Sequence, residues 1–161
     1  MRWLALIPVS VFLVAWWGYV DALPYDQLPY DDSYIAQQYA RFILPTGKLT
    51  FDGIHSSYGA TSPPHVFLLA LTREMIADPV WAARTLGLIL HLVFLVCLYQ
   101  LISDLGCRKP VSVLISTAAG VCGFLVVDSL NGLETSLFHA LSVAFLWGGV
   151  RIRERKRIPF L

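Results

Sequence analysis

Four long apolar runs divide this chain, and the polar segments between them differ greatly in length. The runs cover residues 3–20, 80–101, 111–127 and 135–150. About 20 apolar residues are needed to cross the core of a bilayer, so each run predicts a membrane-spanning helix. A fifth apolar stretch, Val66 to Ile76, is shorter and contains Arg73 and Glu74, so we expect it to lie along the membrane interface.

The polar loop after the first run predicts another interfacial helix, over residues 32–44. Ile35, Tyr39 and Phe42 recur at the spacing of one helical face, and Ser33, Gln37, Gln38 and Arg41 are expected on the other side. Pro45 and Gly47 are expected to end this helix. A helix of this kind is typical of the boundary between lipid and water.

Composition agrees with a membrane protein. Of the 161 residues, 57% are apolar and 14% are charged, whereas a soluble domain carries about 25% charge. The predicted fold is all-α, a single membrane module over residues 1–161. It has four transmembrane helices, interfacial helices 32–44 and 64–77 within a first outer loop 21–79, a second outer loop 128–134 and a basic tail 151–161.

The first run has a second interpretation, as a signal peptide cleaved near residues 20–22. We favour an anchor helix, because the run is long for a signal peptide. Its end carries Trp16, Trp17 and Tyr19, which are typical of an aromatic belt at the membrane surface.

Charge asymmetry predicts the orientation. With four crossings, eight of the twelve Lys and Arg residues fall on one side, namely Arg2, Arg108, Lys109, Arg151, Arg153, Arg155, Lys156 and Arg157. Only Asp104 and Glu154 of the eleven acids share that side. The positive-inside rule therefore predicts a multi-pass protein of the cell membrane, inner or plasma, with both termini in the cytoplasm. Asp31, Asp32 and Glu134 then share the extracytoplasmic side.

Asp31 and Asp32 form an acidic pair in an aromatic setting. A carboxylate in a partly apolar, like-charged environment can accept a proton near neutrality, and carboxylates are preferred ligands of Mg²⁺, Mn²⁺ and Ca²⁺. The competing interpretation is that the pair caps a helix. Glu134 has the same two interpretations, since it precedes the fourth run. Asp32 and Glu134 are the candidate metal ligands.

Other side chains on the predicted outer side are candidates for substrate binding. His65 follows two prolines and could bind a phosphate or a metal, although a lone loop histidine is more often solvated. Arg41 is a cation available to a phosphate, and Tyr34 is an aromatic ring that could stack on a sugar. We find no Gly-rich nucleotide loop and expect no nucleic-acid partner. A donor at the outer leaflet points to a lipid-linked sugar phosphate.

Three segments resemble a known family. Asp31-Asp32-Ser33-Tyr34-Ile35, continuing to Arg41, is similar to the Asp-Asp-Ala-Tyr/Phe-Ile…Arg-Tyr-Ala-Arg motif of polytopic GT-C glycosyltransferases. Tyr58-Gly59-Ala60-Thr61-Ser62-Pro63 is similar to their Gly-Tyr-Thr-Ser-Pro segment, and Asn131-Gly132-Leu133-Glu134-Thr135 to their Gly-Leu/Met-Glu-Thr motif. The likeness covers roughly residues 1–157 and is greatest to the branch of arabinofuranosyltransferases and mannosyltransferase-like proteins.

The resemblance implies two juxtamembrane helices in the first outer loop and a catalytic base in the aspartate pair, for which we favour Asp31. It implies that Asp32 and Glu134 assist through metal, acceptor or donor contacts. Two departures bear on this. Pro63-Pro64-His65 stands where the family has Pro-Leu-Trp, and family members usually have eight or more spans. The open explanations are a truncated product, a split subunit and a piece of a frameshifted gene.

The expected function is transfer of a sugar from a polyprenyl-phosphate donor to a glycan or lipid acceptor outside the cytoplasm. Membrane lipid and a complementary membrane subunit are the expected partners. The alternative is a non-catalytic membrane subunit or pseudoenzyme that binds lipid or a partner protein. A transporter fragment is less favoured, because the acids lie in loops.

Overall fold

The computed structural model describes residues 3–157, with side chains described as far as Arg153, so the predicted roles of Arg2 and of residues 158–161 lie outside the described residues. A short 3₁₀ helix, Trp3–Ala5, leads into the first α-helix. The helices are α1 Leu6–Ala22, α2 Asp32–Thr46, α3 Pro63–Met75, α4 Pro79–Asp104, α5 Lys109–Val121, α6 Gly123–Asp128 and α7 Thr135–Arg157. An isolated antiparallel bridge joins Thr50 and Ser56.

Three segments are helical, long and apolar enough to cross a membrane. They are Trp3–Ala22, Pro79–Asp104 and Thr135–Arg153, which correspond to the first, second and fourth predicted runs. The prediction of one continuous helix over 111–127 is wrong, because the chain breaks at Cys122 into α5 and α6. At this break the Tyr19 hydroxyl of α1 approaches Gly123, since it would lie 2.7 Å from a Cβ at that position.

The α5–α6 pair nevertheless leads the chain back along the bundle. At one end, Asp104 of α4 accepts hydrogen bonds from Trp147 and Arg151 of α7. At the other end, Gly87 of α4 packs against the backbone of Ser129, just before α7. The helices α4 and α7 therefore run in the same direction. The segment between them, which contains α5 and α6, runs the opposite way and connects the end of α4 with the start of α7.

Two apolar clusters hold the fold together. The first lies in the bundle and includes Phe12, Trp16, Phe94 and Leu95 of α1 and α4. The second lies where α2 and α3 pack on the start of α4, and is formed by residues such as Tyr39, Val66, Leu69, Val80 and Leu86. Burial away from water contributes roughly 1.5–3 kcal/mol for each large apolar side chain of the second cluster, whereas helices in lipid associate through packing contacts. The second cluster anchors α2 and α3 on the bundle.

The helix α2 exists as predicted, and it is buried on more than its predicted apolar face. Tyr39 of the apolar set is buried, and so are Ser33 and Gln37 of the polar set, whereas Ile35 is exposed. The cause is the partner surface: the Gln37 side chain donates to the Pro79 carbonyl, and the Gln37 backbone carbonyl accepts from the Arg73 guanidinium. Polar side chains face inward because α2 packs against backbone groups that need hydrogen-bond partners.

The start of α2 is as predicted, whereas its end and both ends of α3 differ slightly from the predicted bounds. Pro45 lies inside the last turn of α2, which continues to Thr46, and Gly47 then ends the helix in the left-handed conformation at φ 66°. The last turn tolerates a proline better than the helix interior does. Pro63 begins α3, as expected of proline in a first turn. The placement of both helices in the membrane interface stays a prediction.

A buried guanidinium positions the segment that leads to the aspartate pair. Arg84 of α4 is fully buried and donates from Nη2 to the carbonyls of Pro24 and Gln27, at 2.7 and 3.0 Å. Its guanidinium also lies over the ring of Trp81, 5.5 Å from the centroid. Loop carbonyls therefore enclose the Arg84 guanidinium within the protein.

Candidate functional site

A cavity of about 290 Å³ lies between α2, α3 and the segment before α7. Its volume is close to the lower end of ligand pockets, which is ~300 Å³. Three residues predicted from the sequence line it, namely Asp32 of α2, His65 of α3 and Glu134. These residues are far apart in the chain, so the fold is what brings them together.

The short segment before α7 has a defined turn structure. Asn131 Oδ1 accepts from the amide of Leu133 at 2.8 Å, and Asn131 Nδ2 donates to the Asp128 carboxylate at 3.2 Å. Gly132 follows with φ at 75°, a conformation that disfavours side chains. A Cβ there would also lie 3.0 Å from Leu28. This turn directs Glu134 toward the cavity.

Three hydrogen bonds join this turn to the outer-loop helices and the segment between them. Ser33 Oγ of α2 donates to the Asn131 carbonyl, and the His65 ring hydrogen-bonds from Nε2 to the Gly132 carbonyl at 3.1 Å. The Thr61 hydroxyl donates to Glu134 Oε1 at 2.7 Å. Residues 131, 132 and 134 are thus each held by a different part of the first outer loop.

His65 differs from a solvated loop histidine, because it is only 3% exposed. Burial lowers the pKa of its imidazole below the ordinary 6.5, while the Gly132 carbonyl and the Glu134 carboxylate act in the opposite direction. The ring is therefore neutral at physiological pH. The prolines before it explain its position, since they begin α3 and place residue 65 in the first turn, beside the cavity.

The other predicted site residues lie outside the cavity wall. Asp31 precedes the first residue of α2 and is exposed. Arg41 is exposed, with its guanidinium 5.4 Å from the ring centroid of Phe42. The Tyr34 hydroxyl accepts from the amide of Leu28 at 2.9 Å, which gives this side chain a structural role. Their parts in catalysis or binding stay predictions.

The residues described as lining the cavity carry negative but no positive side-chain charge. Asp32 and Glu134 contribute two carboxylates, and the residues described as lining the cavity include no Lys or Arg. Within residues 3–157, no group of three or more His, Cys, Asp and Glu side chains could hold a metal ion. The predicted divalent cation at Asp32 and Glu134 stays a prediction. Two carboxylates and a neutral imidazole suit a ligand that donates hydrogen bonds.

Sequence reasoning did not single out Ser33, Thr61 or Asn131. Ser33 and Asn131 are almost fully buried, and they contact each other. A buried polar residue next to a candidate acid is a signal, but burial is not visible in a single sequence. The Asn131-Gly132 dipeptide was the detectable part, because it is a strong turn signal.

Comparison with known protein families, with curated protein sequences and with solved structures found no match for this chain. The chemistry of the cavity and the topology of the helices are thus the basis for proposing a function.

Proposed function

We propose that this chain is the membrane module of a glycosyltransferase that moves a sugar from a polyprenyl-phosphate donor to an acceptor outside the cytoplasm. The observation that supports it best is the shared cavity of Asp32, His65 and Glu134. Two carboxylates in one cavity can orient sugar hydroxyls, and one of them can take the proton of an acceptor hydroxyl. The resemblance to GT-C enzymes concerns the same segments.

In this proposal α5 and α6 together make the third of four crossings. They have 13 and 6 helical residues between Lys109 and Asp128, and at about 1.5 Å per residue they rise about 29 Å in total. The antiparallel return between the ends of α4 and α7 supports this arrangement. The aspartate pair and Glu134 then lie at the outer surface, where α2 and α3 rest in the interface, and both termini lie in the cytoplasm.

One carboxylate of the aspartate pair is the proposed base. The sequence resemblance favours Asp31, whereas the cavity wall includes Asp32, so the two are distinguished by substitution. The acceptor oxygen attacks the anomeric carbon while the bond to the donor phosphate breaks, and the base takes the acceptor proton. Glu134 orients the sugar hydroxyls in the proposal, and its carboxylate is held in turn by Thr61.

The test is transfer of sugar from a panel of polyprenyl-phosphate-linked pentoses and hexoses by the full chain in liposomes. Asp32→Asn should lower the rate at least about 100-fold if Asp32 is the base, the scale of a lost general base, and Glu134→Gln should lower it by weakening the orientation of the sugar hydroxyls. Asp26→Asn is the matched control, because Asp26 is exposed in the same loop and does not line the cavity. Asp31→Asn reports which member of the pair is the base.

A non-catalytic subunit that binds sugars is the second candidate. It is favoured by the lack of a Lys or Arg among the residues lining the cavity, since a leaving phosphate needs a neutralising partner. Sugar binding without transfer from any donor of the panel would support this candidate. Transfer that survives in both Asp32→Asn and Glu134→Gln would refute the enzymatic proposal for this cavity.

A further inference from the structure

One ring nitrogen of His65 is hydrogen-bonded to the protein, and the other has no hydrogen-bond partner among the described residues. Nε2 lies 3.1 Å from the Gly132 carbonyl oxygen. Nδ1 is buried and has no hydrogen-bond partner within the described part of the chain. The ring belongs to the cavity wall, and the unpaired nitrogen is enclosed within that wall.

The carbonyl of Gly132 determines which nitrogen carries the proton. A carbonyl oxygen only accepts, so Nε2 must donate and the neutral ring keeps its lone pair on Nδ1. Burial also disfavours a second proton, because the charged ring loses its hydration. His65 is therefore a neutral acceptor with a defined tautomer.

An enclosed acceptor without a partner is costly. Leaving a buried polar atom unpaired costs roughly 1–3 kcal/mol, so a ligand that donates a hydrogen bond recovers much of that amount. A phosphate has no proton to donate when fully ionised, and the nearby carboxylates of Asp32 and Glu134 repel it. A hydroxyl satisfies Nδ1 without adding charge to an acidic wall.

We propose that His65 is a ligand-binding residue of this cavity, which accepts a hydrogen bond at Nδ1 from a sugar hydroxyl while Nε2 holds the turn that carries Glu134. The role deepens the proposed function and rests on it for the identity of the ligand. A small movement of the wall gives the hydroxyl access to the enclosed nitrogen. His65 then determines binding and specificity, and the carboxylates remain the candidates for proton transfer.

Two substitutions separate the two sides of the ring. His65→Gln places an amide nitrogen near the position of Nε2, so it keeps the donor to Gly132 and removes the acceptor. His65→Asn places its amide near the position of Nδ1, so it keeps an acceptor and removes the bond to Gly132. The full chain in detergent micelles is tested for binding of arabinose, mannose, glucose and galactose by saturation-transfer NMR, and nitrogen NMR of the ring reports the tautomer.

We expect Nδ1 to be the unprotonated nitrogen and its resonance to shift when the preferred sugar is added, while inorganic phosphate leaves it unchanged. His65→Gln should bind that sugar about three- to tenfold more weakly, the effect of one neutral hydrogen bond, and keep the thermal stability of the wild type. His65→Asn should retain more of the affinity and lose stability.

A proton found on Nδ1, sugar binding by His65→Gln equal to that of the wild type, or no binding of any of the four sugars by the wild type would each overturn the proposal. The outcome is separable from that of the proposed function. Sugar binding through Nδ1 without transfer would sustain the role of His65 and refute only the enzymatic activity.

Discussion

Ser33 and Asn131 are joined by a hydrogen bond from the Ser33 hydroxyl to the Asn131 carbonyl, across 98 positions of the chain. One partner is adjacent to Asp32, and the other is three residues before Glu134. Both side chains are almost fully buried. The bond therefore fixes the distance between the two acidic segments of the cavity.

Ser33→Ala tests this connection. The substitution leaves the buried Asn131 carbonyl without its partner, which should lower the free energy of unfolding by about 1–3 kcal/mol. Thermal unfolding in detergent measures the loss. Ser10→Ala is the matched control, because Ser10 is exposed on α1 and should leave the midpoint unchanged. Equal midpoints for Ser33→Ala and the wild type would show that the bond does not hold the two segments.

Gly87→Ala tests the contact between α4 and the turn before α7. A Cβ at position 87 would lie 2.0 Å from the carbonyl oxygen of Ser129, so the backbones must separate. Overpacking of this kind costs about 1–3 kcal/mol, and here the obstacle is backbone. We expect a clear fall in the thermal midpoint and a weaker site, because the displaced segment carries Glu134.

Gly148→Ala is the control for Gly87→Ala. Nothing lies within 4 Å of a Cβ at position 148 in α7. Alanine favours a helix interior over glycine by about 1 kcal/mol, so this variant should equal or exceed the wild type in stability. A Gly87→Ala protein as stable as Gly148→Ala would contradict the close approach of α4 and Ser129.

The long helices were predicted correctly, because a sufficiently long apolar run can be recognised without knowing which other helix packs against it. The sequence did not indicate the break at Cys122, where the hydroxyl of Tyr19 approaches Gly123 from another helix. It also did not indicate that Ser33 and Gln37 of α2 are buried together with Tyr39. Hydrophobic periodicity assumes an apolar partner, whereas Ser33 and Gln37 face backbone carbonyls.

The candidate site was predictable in part. Charge asymmetry and helix count indicated that Asp32 and Glu134 share a side, and the structure brings both to one cavity with His65. Which member of the aspartate pair lines the cavity was not predictable, because successive residues of a helix differ in direction by about 100°. The neutral state of His65 follows from burial, which only the tertiary structure reveals.

Labelling of cysteines tests the proposed topology. Cys107 is exposed between α4 and α5, and Tyr58 is highly exposed in the first outer loop. With α5–α6 as the third of four crossings, an impermeant thiol reagent should label Tyr58→Cys, in a Cys107→Ser, Cys122→Ser background, from outside intact cells. Cys107, in a Cys122→Ser background because Cys122 is also exposed, should react only after the membrane is opened. Labelling of both positions from the same side would exclude the arrangement.

The pH dependence of stability tests the burial of His65. The pKa of the folded-state imidazole lies below its ordinary value of 6.5, so above that pH both folded and unfolded forms are neutral and the ring contributes nothing. As the pH falls through 6.5, the unfolded chain binds the proton first and the folded state loses stability. For one proton the limit is ~1.4 kcal/mol per pH unit.

The midpoint of the wild type should therefore fall more between about pH 7 and pH 5 than that of His65→Gln, which has no titratable side chain at position 65 and keeps the other three histidines. Asp32 and Glu134, the charged groups of the same wall, are present in both proteins, so their titration largely cancels in the comparison. Parallel curves for the two proteins would show that His65 binds its proton equally in both states, and the enclosed neutral ring would have to be abandoned.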